Sequence, residues 1–391
     1  MTRALIFLPV ALFCTSALRA APPAFEAEVL VQCGAGPLQA AGYSVPAWHD
    51  WTGDGLPDLL VGEGGGAWPD SHICLFPNTG GPGAPVFASA QWLTAGGLPI
   101  VCPGVGCLGA FPRVVDWDGD PARDLLVGLA DGRVTLYHNA GAPGAPDLEA
   151  GATVMTGPAG GEVPLDVGER ATPDLADWNA DGLPDLVSGG LDGRIHVFLN
   201  QGTSTVPLFP ARIFAQAGGT DLQVPSGRSS PILFDFDGDG RPDLLCGNTE
   251  GQLLYSANVG VVGAPAFAPL EPVLCGGLPF NLAGAQRTRP ALGDWNADGL
   301  PDLLVGYGDG RVHLCLGRLA PVEGLAVRWT GSALRLEWPA GAAADRFRVY
   351  RAPAPEGPWD LCGETADTQW VEPLPAADAA ACYRVTRCRT P

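Results

Sequence analysis

Oxygen-bearing side chains recur in this chain at a spacing that suits a hard cation. Asp294, Asn296, Asp298 and Asp302 stand at positions 1, 3, 5 and 9 of a loop running on to Gly306. Four other stretches repeat the pattern: Asp50, Thr52, Asp54 and Asp58; Asp116, Asp118, Asp120 and Asp124; Asp177, Asn179, Asp181 and Asp185; Asp235, Asp237, Asp239 and Asp243. Ca²⁺ takes about six to eight oxygens, and alternate residues of a tight loop can aim theirs at one centre. Position 7 would add a backbone carbonyl, from Leu56, Ala122, Leu183, Arg241 or Leu300, while glycine at position 6 supplies the sharp turn. Position 12, where an EF-hand carries a bidentate Glu, holds Val61, Val127, Ser188, Cys246 or Val305, so these are not EF-hands. Asp and Gly are also ordinary turn residues. Five copies with crowded carboxylates nevertheless argue for a cation between them. The spacing predicts up to five Ca²⁺, best held in loops 3, 4 and 5. Thr52 is a weaker ligand than a carboxylate, and Pro121 denies loop 2 its position-6 glycine, a turn that Gly119 is expected to rescue.

The elements around these loops follow from what flanks them. After position 9 comes a short apolar run ended by Gly, as in Leu303-Leu304-Val305-Gly306, which reads as a buried strand. The first aspartates fall at 50, 116, 177, 235 and 294, a period near sixty that marks a repeat architecture. In the second unit Pro112 to Asp116 leads into the loop, Asp124 to Gly128 is a strand, Asp131-Gly132 a hairpin turn and Arg133 to His138 another strand, followed by a last extended stretch. Four short antiparallel strands per unit predict the blades of a β-propeller. Pro23 to Leu30 matches the final-strand stretches beginning at Pro85 and Pro265, whereas the fifth unit stops after Leu314-Cys315-Leu316. The N-terminus is therefore expected to complete the fifth blade and close the ring. The fold expected is all-β: a five-bladed propeller over 21–318, then a small β-sandwich over 319–391.

The units resemble FG-GAP or VCBS repeats, the calcium-loop propeller repeats of integrin α-chains and of many secreted bacterial proteins. The likeness rests on Asp-x-Asp/Asn-x-Asp-Gly-x-x-Asp-Leu and covers about three quarters of the chain. It departs in blade number, since that family commonly has seven or more. Beyond Arg318 the loops vanish, and segments from Pro321, Ala333, Arg346 and Cys382 alternate apolar and polar residues. This part resembles a fibronectin type III domain, with Trp338 and Tyr383 at core aromatic positions.

Composition bounds the function. The formal net charge is −20, and five Ca²⁺ would halve it, so no nucleic acid is expected as partner. All 22 basic residues are Arg, which reads as composition bias. Met1-Thr2-Arg3, the apolar run Ala4 to Phe13 and Leu18-Arg19-Ala20 read as a signal peptide over 1–20, and Phe13 argues against a lipoprotein role for Cys14. No apolar stretch is long enough for a transmembrane helix. Localisation is expected to be secreted or cell-surface. Ten cysteines then remain, with Cys102 and Cys107 able to close a small loop and Cys362, Cys382 and Cys388 close together in sequence.

Three residues before each inner-strand proline stand Tyr43, Gly109, Arg170, Arg228 and Arg287, expected on the face opposite the loops with the turns at Asp131, Asp192 and Asp309. Tyr43 with Arg170, Arg228 and Arg287 forms a candidate ligand site for an anionic sugar or carboxylate, although each Arg could instead pair with a neighbouring Asp. Trp51, Trp117, Trp178, Phe236 and Trp295 follow the first Asp of each loop and read as wedges between sheets. His49, His72, His138, His196 and His313 are scattered, and no catalytic constellation appears. The chain therefore reads as a secreted, calcium-binding, non-catalytic propeller recognising extracellular glycan or protein. A calcium-stabilised polysaccharide lyase or hydrolase, or a purely structural surface component, are the alternatives.

Overall fold

The computed structural model describes residues 22–65, 70–103, 110–282, 287–318, 326–329, 333–338, 346–352, 360–365, 367–373 and 382–388. The expected signal peptide, Cys14, Cys107 and Gly109 lie outside them.

Five sheets are organised on the Asp loops. Each loop joins an inner strand (Tyr43–His49, Phe111–Val115, Thr172–Ala176, Ser230–Phe234, Arg289–Gly293) to a second strand that begins at the position-9 aspartate (Asp58–Gly64, Asp124–Gly128, Asp185–Gly189, Asp243–Gly247, Asp302–Gly306). The last four of these second strands are buried from end to end, because each lies between two neighbouring sheets. Their side chains alternate accordingly. Leu126 packs with Leu186 and Phe198 of the next sheet, whereas Leu125 and Val127 pack with Leu60 and Ile73 of the preceding one. Burying each such Leu contributes roughly 1.5–3 kcal/mol.

The glycine that ends each second strand is fixed by this packing. A Cβ on Gly128 would lie 2.0 Å from the Ala171 carbonyl oxygen of the next inner strand, and one on Gly306 would lie 2.2 Å from the Ser44 oxygen. Third strands at Asp70–Phe76, Val134–Tyr137, Ile195–Phe198, Leu253–Ser256 and Val312–Cys315 follow. The outer strand of the fifth Asp-loop sheet is Val29–Leu30, with Leu30 opposite His313, so the two ends of the propeller segment meet in one sheet.

The count of five blades is corrected. Among the described residues the propeller has six sheets of four or more strands, and the sixth carries no Asp loop. It runs Leu278–Pro279, Leu274–Cys275, Ala24–Phe25, Gly317–Arg318, with Ala24 parallel to Leu274 and antiparallel to Arg318. Its strands are two residues each and come from three distant parts of the chain, too short to carry a hydrophobic period. The Gly276-Gly277 turn of its hairpin is a signal the strand pattern did not use.

Toward the C-terminus two three-stranded antiparallel sheets are present: Ala326–Trp329, Ala333–Glu337 and Gln369–Pro373, and Asp360–Thr365, Arg346–Ala352 and Cys382–Cys388. Leu336, Trp338, Phe347, Val349 and Val385 form a small core there. Among the described residues these two sheets are the C-terminal architecture, and they do not show a fibronectin type III domain.

Candidate metal centres and channel mouth

The five Asp loops share one local design. The position-1 carboxylate folds the loop over itself by accepting backbone N–H groups from three to five residues ahead: Gly53 (2.7 Å) and Gly55 (2.9 Å) reach Asp50, and Asp298 (3.1 Å) and Gly299 (3.0 Å) reach Asp294. The position-5 carboxylate accepts the position-7 N–H, as from Leu56 to Asp54, Ala122 to Asp120, Leu183 to Asp181, Arg241 to Asp239 and Leu300 to Asp298. Glycine at position 6 is left-handed in four copies, at Gly55, Gly182, Gly240 and Gly299. Position 4 is left-handed in all five, through Gly53, Gly119 and Gly238 and, against the usual preference, Ala180 and Ala297. Gly119 thus fills its own regular place and does not substitute for the glycine that Pro121 displaces.

The position-9 aspartates Asp58, Asp124, Asp185, Asp243 and Asp302 are all buried at the strand start. Each accepts the N–H of the residue after position 1, from Trp51, Trp117, Trp178, Phe236 or Trp295. The other oxygen accepts a backbone N–H from beyond the third strand, at Asn78, Asn139, Asn200, Asn258 or Gly317. These four asparagines were not foreseen as part of the loops. Their signal is Asn-x-Gly, present at 78–80, 139–141, 200–202 and 258–260. Burial pushes Asp243 and Asp302 up to about 6, helped by the charges of Asp237 and Asp298 respectively.

The donor sets fit a hard cation to different degrees. In loop 4, oxygens of Asp235, Asp237 and Asp239 lie within 4.8 Å of one another. In loop 1, Thr52 Oγ1 is buried without a hydrogen-bond partner at position 3, where a ligand is required. Loops 3 and 5 place an Asn at position 3, whose side-chain amide reaches Asp181 (2.8 Å) or Asp298 (3.0 Å). Loop 2 is partly neutralised from within the chain, by Arg123 on Asp116 (2.9 Å) and His138 on Asp118 (2.8 Å). Arg241 is likewise paired with Asp239 in loop 4.

Trp51 and Trp178 are buried, and Trp117, Trp178 and Trp295 touch Phe209, Phe267 and Phe87 of the following unit, as wedges do.

At the inner strands' other end, backbone bonds pin each unit to its predecessor. Arg170 N–H donates to Ala130 O (3.0 Å), Arg228 to Leu191 O (3.1 Å), and Arg287 to Thr249 O (3.0 Å). All three arginines are left-handed, at φ 63°, 55° and 80°. Their side chains converge on one small cavity with Arg289, Phe111 and Thr172. Arg289 was not anticipated. It occupies the inner-strand place held by Val45, Phe111, Thr172 and Ser230 in the other units, so no repeat marked it. It is buried, donates from Nη1 to Ser44 O (3.3 Å), and stacks over Tyr43 and Phe111 at 5.0 and 5.2 Å. Arg287 lies 4.7 Å over the Tyr43 ring. Asp131, Asp192 and Asp309 instead cap their own turns, on Arg133, Arg194 and Arg311 N–H.

The FG-GAP-like repeat model matches residues 177–246 and 235–305, the units of loops 3 to 5. Human integrin alpha-7 is 31% identical over 147 residues, 34% of this chain and 11% of that protein, so the chain spans about a tenth of the length of the curated relative it matches. Among solved structures, a chain in the crystal structure of BBS1N in complex with ARL6DN, soaked with lead, is 12% identical with a TM-score of 0.35, over 75% of this chain and 96% of that one. A chain of apo ctPRC2 in an autoinhibited state is 13% identical with a TM-score of 0.32, over 82% and 55%. The chain thus carries FG-GAP-like repeats in a propeller arrangement, with an integrin α homologue.

Proposed function

We propose that this protein is an exported, non-catalytic recognition propeller whose Asp loops bind Ca²⁺ and whose surface engages an extracellular glycan or protein. In this reading residues 1–20 are a leader and 21–318 the recognition unit. The carrying observation is that FG-GAP-like repeats cover the units of loops 3 to 5, in each of which the position-1 carboxylate folds the loop backbone over itself and, in loop 4, three aspartates bring oxygens within 4.8 Å of one another, in a chain with an integrin α homologue. The side chains at positions 1, 3, 5 and 9 would hold the ion, which would supply the positive charge that offsets them. Without it the crowded acids repel, so the ion acts as a staple for each turn. Among the described residues no helix is long and apolar enough to cross a membrane. The test is an array of glycans and matrix proteins probed with the chain in millimolar Ca²⁺ and again with chelator. Calcium-dependent binding to a defined class is expected. A blank array from a cooperatively folded chain would overturn the recognition role.

A further inference from the structure

The Asn-x-Gly segments do more than brace their own loops. The position-9 aspartate of each of loops 1 to 4 accepts the N–H of the asparagine that opens the segment, Asn78, Asn139, Asn200 or Asn258. The asparagine Oδ1 then accepts the N–H groups two and eight residues on, as from Gly80 and Val86 to Asn78. Three of these arms end in a tight turn closed by backbone bonds, between Gly81 and Ala84, Ala142 and Ala145, or Val261 and Ala264. Each is thus a short, stiff lever rooted in its own Asp loop.

The tip of the lever lands on the loop of the preceding unit. A Cβ at Gly144 would lie 2.9 Å from the carbonyl oxygen of Thr52 in loop 1, one at Gly263 would lie 2.7 Å from that of Asn179 in loop 3, and one at Gly83 closer still to that of Asn296 in loop 5. The residue touched stands at position 3 each time, and Gly144, Gly263 and Gly83 are left-handed, at φ 79°, 80° and 70°. In the third unit Thr205 takes the place of this glycine. There the seam between loops 2 and 3 holds a cavity of about 470 Å³, lined by Asp116, Gly119, Asp177, Gly182 and Ser204. Among the described residues no such arm follows loop 5, because Gly317 makes the bond to Asp302 and enters the sixth sheet.

We infer that Asn78, Asn139 and Asn258 are positioning residues that couple neighbouring Ca²⁺ loops, linking loop 2 to loop 1, loop 1 to loop 5 and loop 4 to loop 3, while loops 2 and 3 load independently. This rests on the reading that the Asp loops bind Ca²⁺. With loop 4 loaded, Asp243 is held in place, and with it Asn258 and its arm, whose tip braces the backbone that carries Asn179. Part of the ordering of loop 3 is then complete before its own ion arrives, and linkage makes the effect reciprocal.

The test is hydrogen-exchange mass spectrometry of the full chain across a Ca²⁺ titration, which reads each loop on its own peptide. Emptying loop 4 by Asp239→Asn should raise the Ca²⁺ concentration that protects residues 177–185 by at least about fivefold and leave that for residues 50–58 unchanged. Asn258→Ala, which frees the arm without removing a ligand, should raise the concentration for 177–185 as well. An unchanged value for 177–185 in a chain whose loop 4 is empty overturns the inference. If a variant does not fold, or loop 4 stays loaded in Asp239→Asn, the unaltered chain decides: loops 3 and 4 should gain protection together with a Hill slope above one, and separate midpoints with slopes of one overturn the inference. Calcium-dependent protection without coupling leaves the calcium reading standing, whereas no protection of any loop at any Ca²⁺ concentration removes both.

Discussion

Asn139 and Asp124 clasp the base of the second loop from opposite ends of a hairpin: the Asn139 N–H donates to Asp124 Oδ1 at 2.8 Å, and its side-chain amide donates to the Arg123 carbonyl at 3.0 Å. Its Oδ1 accepts the N–H groups of Gly141 and Asp147, so one side chain ties loop, third strand and following turn. Asn258 does the same beside Asp243, with Pro242, Gly260 and Ala266. Asn258→Ala removes the side-chain bonds and strands partly buried backbone groups. It should cost about 1–3 kcal/mol in urea unfolding.

The buried position-9 aspartates give a pH dependence whose sign reverses with metal. Asp243 and Asp302 are raised to about 6 by burial and acidic neighbours, so the folded chain binds protons more tightly than the unfolded one. Their contribution in chelator is therefore most favourable below about pH 4 and is lost as pH rises toward 6. With Ca²⁺ bound, the ion requires the deprotonated carboxylates, and stability should rise across the same window. Thermal melts from pH 4 to 7, with and without the ion, and compared with Asp243→Asn, check both slopes.

Close packing between units makes some glycines irreplaceable for steric rather than conformational reasons. A Cβ at position 247 would lie 2.1 Å from the Thr288 carbonyl oxygen, a backbone atom that cannot step aside. Gly247→Ala is expected to destabilise by 3 kcal/mol or more, on the order of the upper overpacking range. Gly240→Ala meets nothing within 4 Å and should cost only its left-handed φ of 83°, about 1–2 kcal/mol. Paired denaturation curves separate the two causes.

Cys275 and Cys315 lie side by side where the sixth sheet meets the fifth unit, and the hydrogen bond between them, with burial, pushes the Cys315 thiol upward. Both are reduced here. Exposure to an oxidant should join them, a loss of two hydrogens and two titratable thiols by mass spectrometry, and should stabilise the chain by about 3–4 kcal/mol through loop closure. Cys275→Ser should abolish both effects.

Much of this architecture is written locally. The Asp spacing, the apolar run after Asp302 and the wedge at Trp178 each act within a few residues, so their pattern survives in the sequence. The sixth sheet does not, because Ala24–Phe25 becomes a strand only by meeting Leu274–Cys275 on one side and Gly317–Arg318 on the other. At the channel mouth, Arg170, Arg228 and Arg287 were visible as a repeated position. Arg289 was hidden because its neighbours in the other units are Val, Phe, Thr and Ser. The Asn-x-Gly repeat was present and informative, but its partner aspartate lies 15 to 20 residues away, beyond any local rule.

The most direct test of the account is a calcium titration of the folded chain by calorimetry, followed by melting in excess Ca²⁺ and in chelator. The account predicts saturable binding of three or more ions and a melting temperature higher by at least about 5 °C with the metal. No binding heat, with identical melts in Ca²⁺ and chelator, would contradict it.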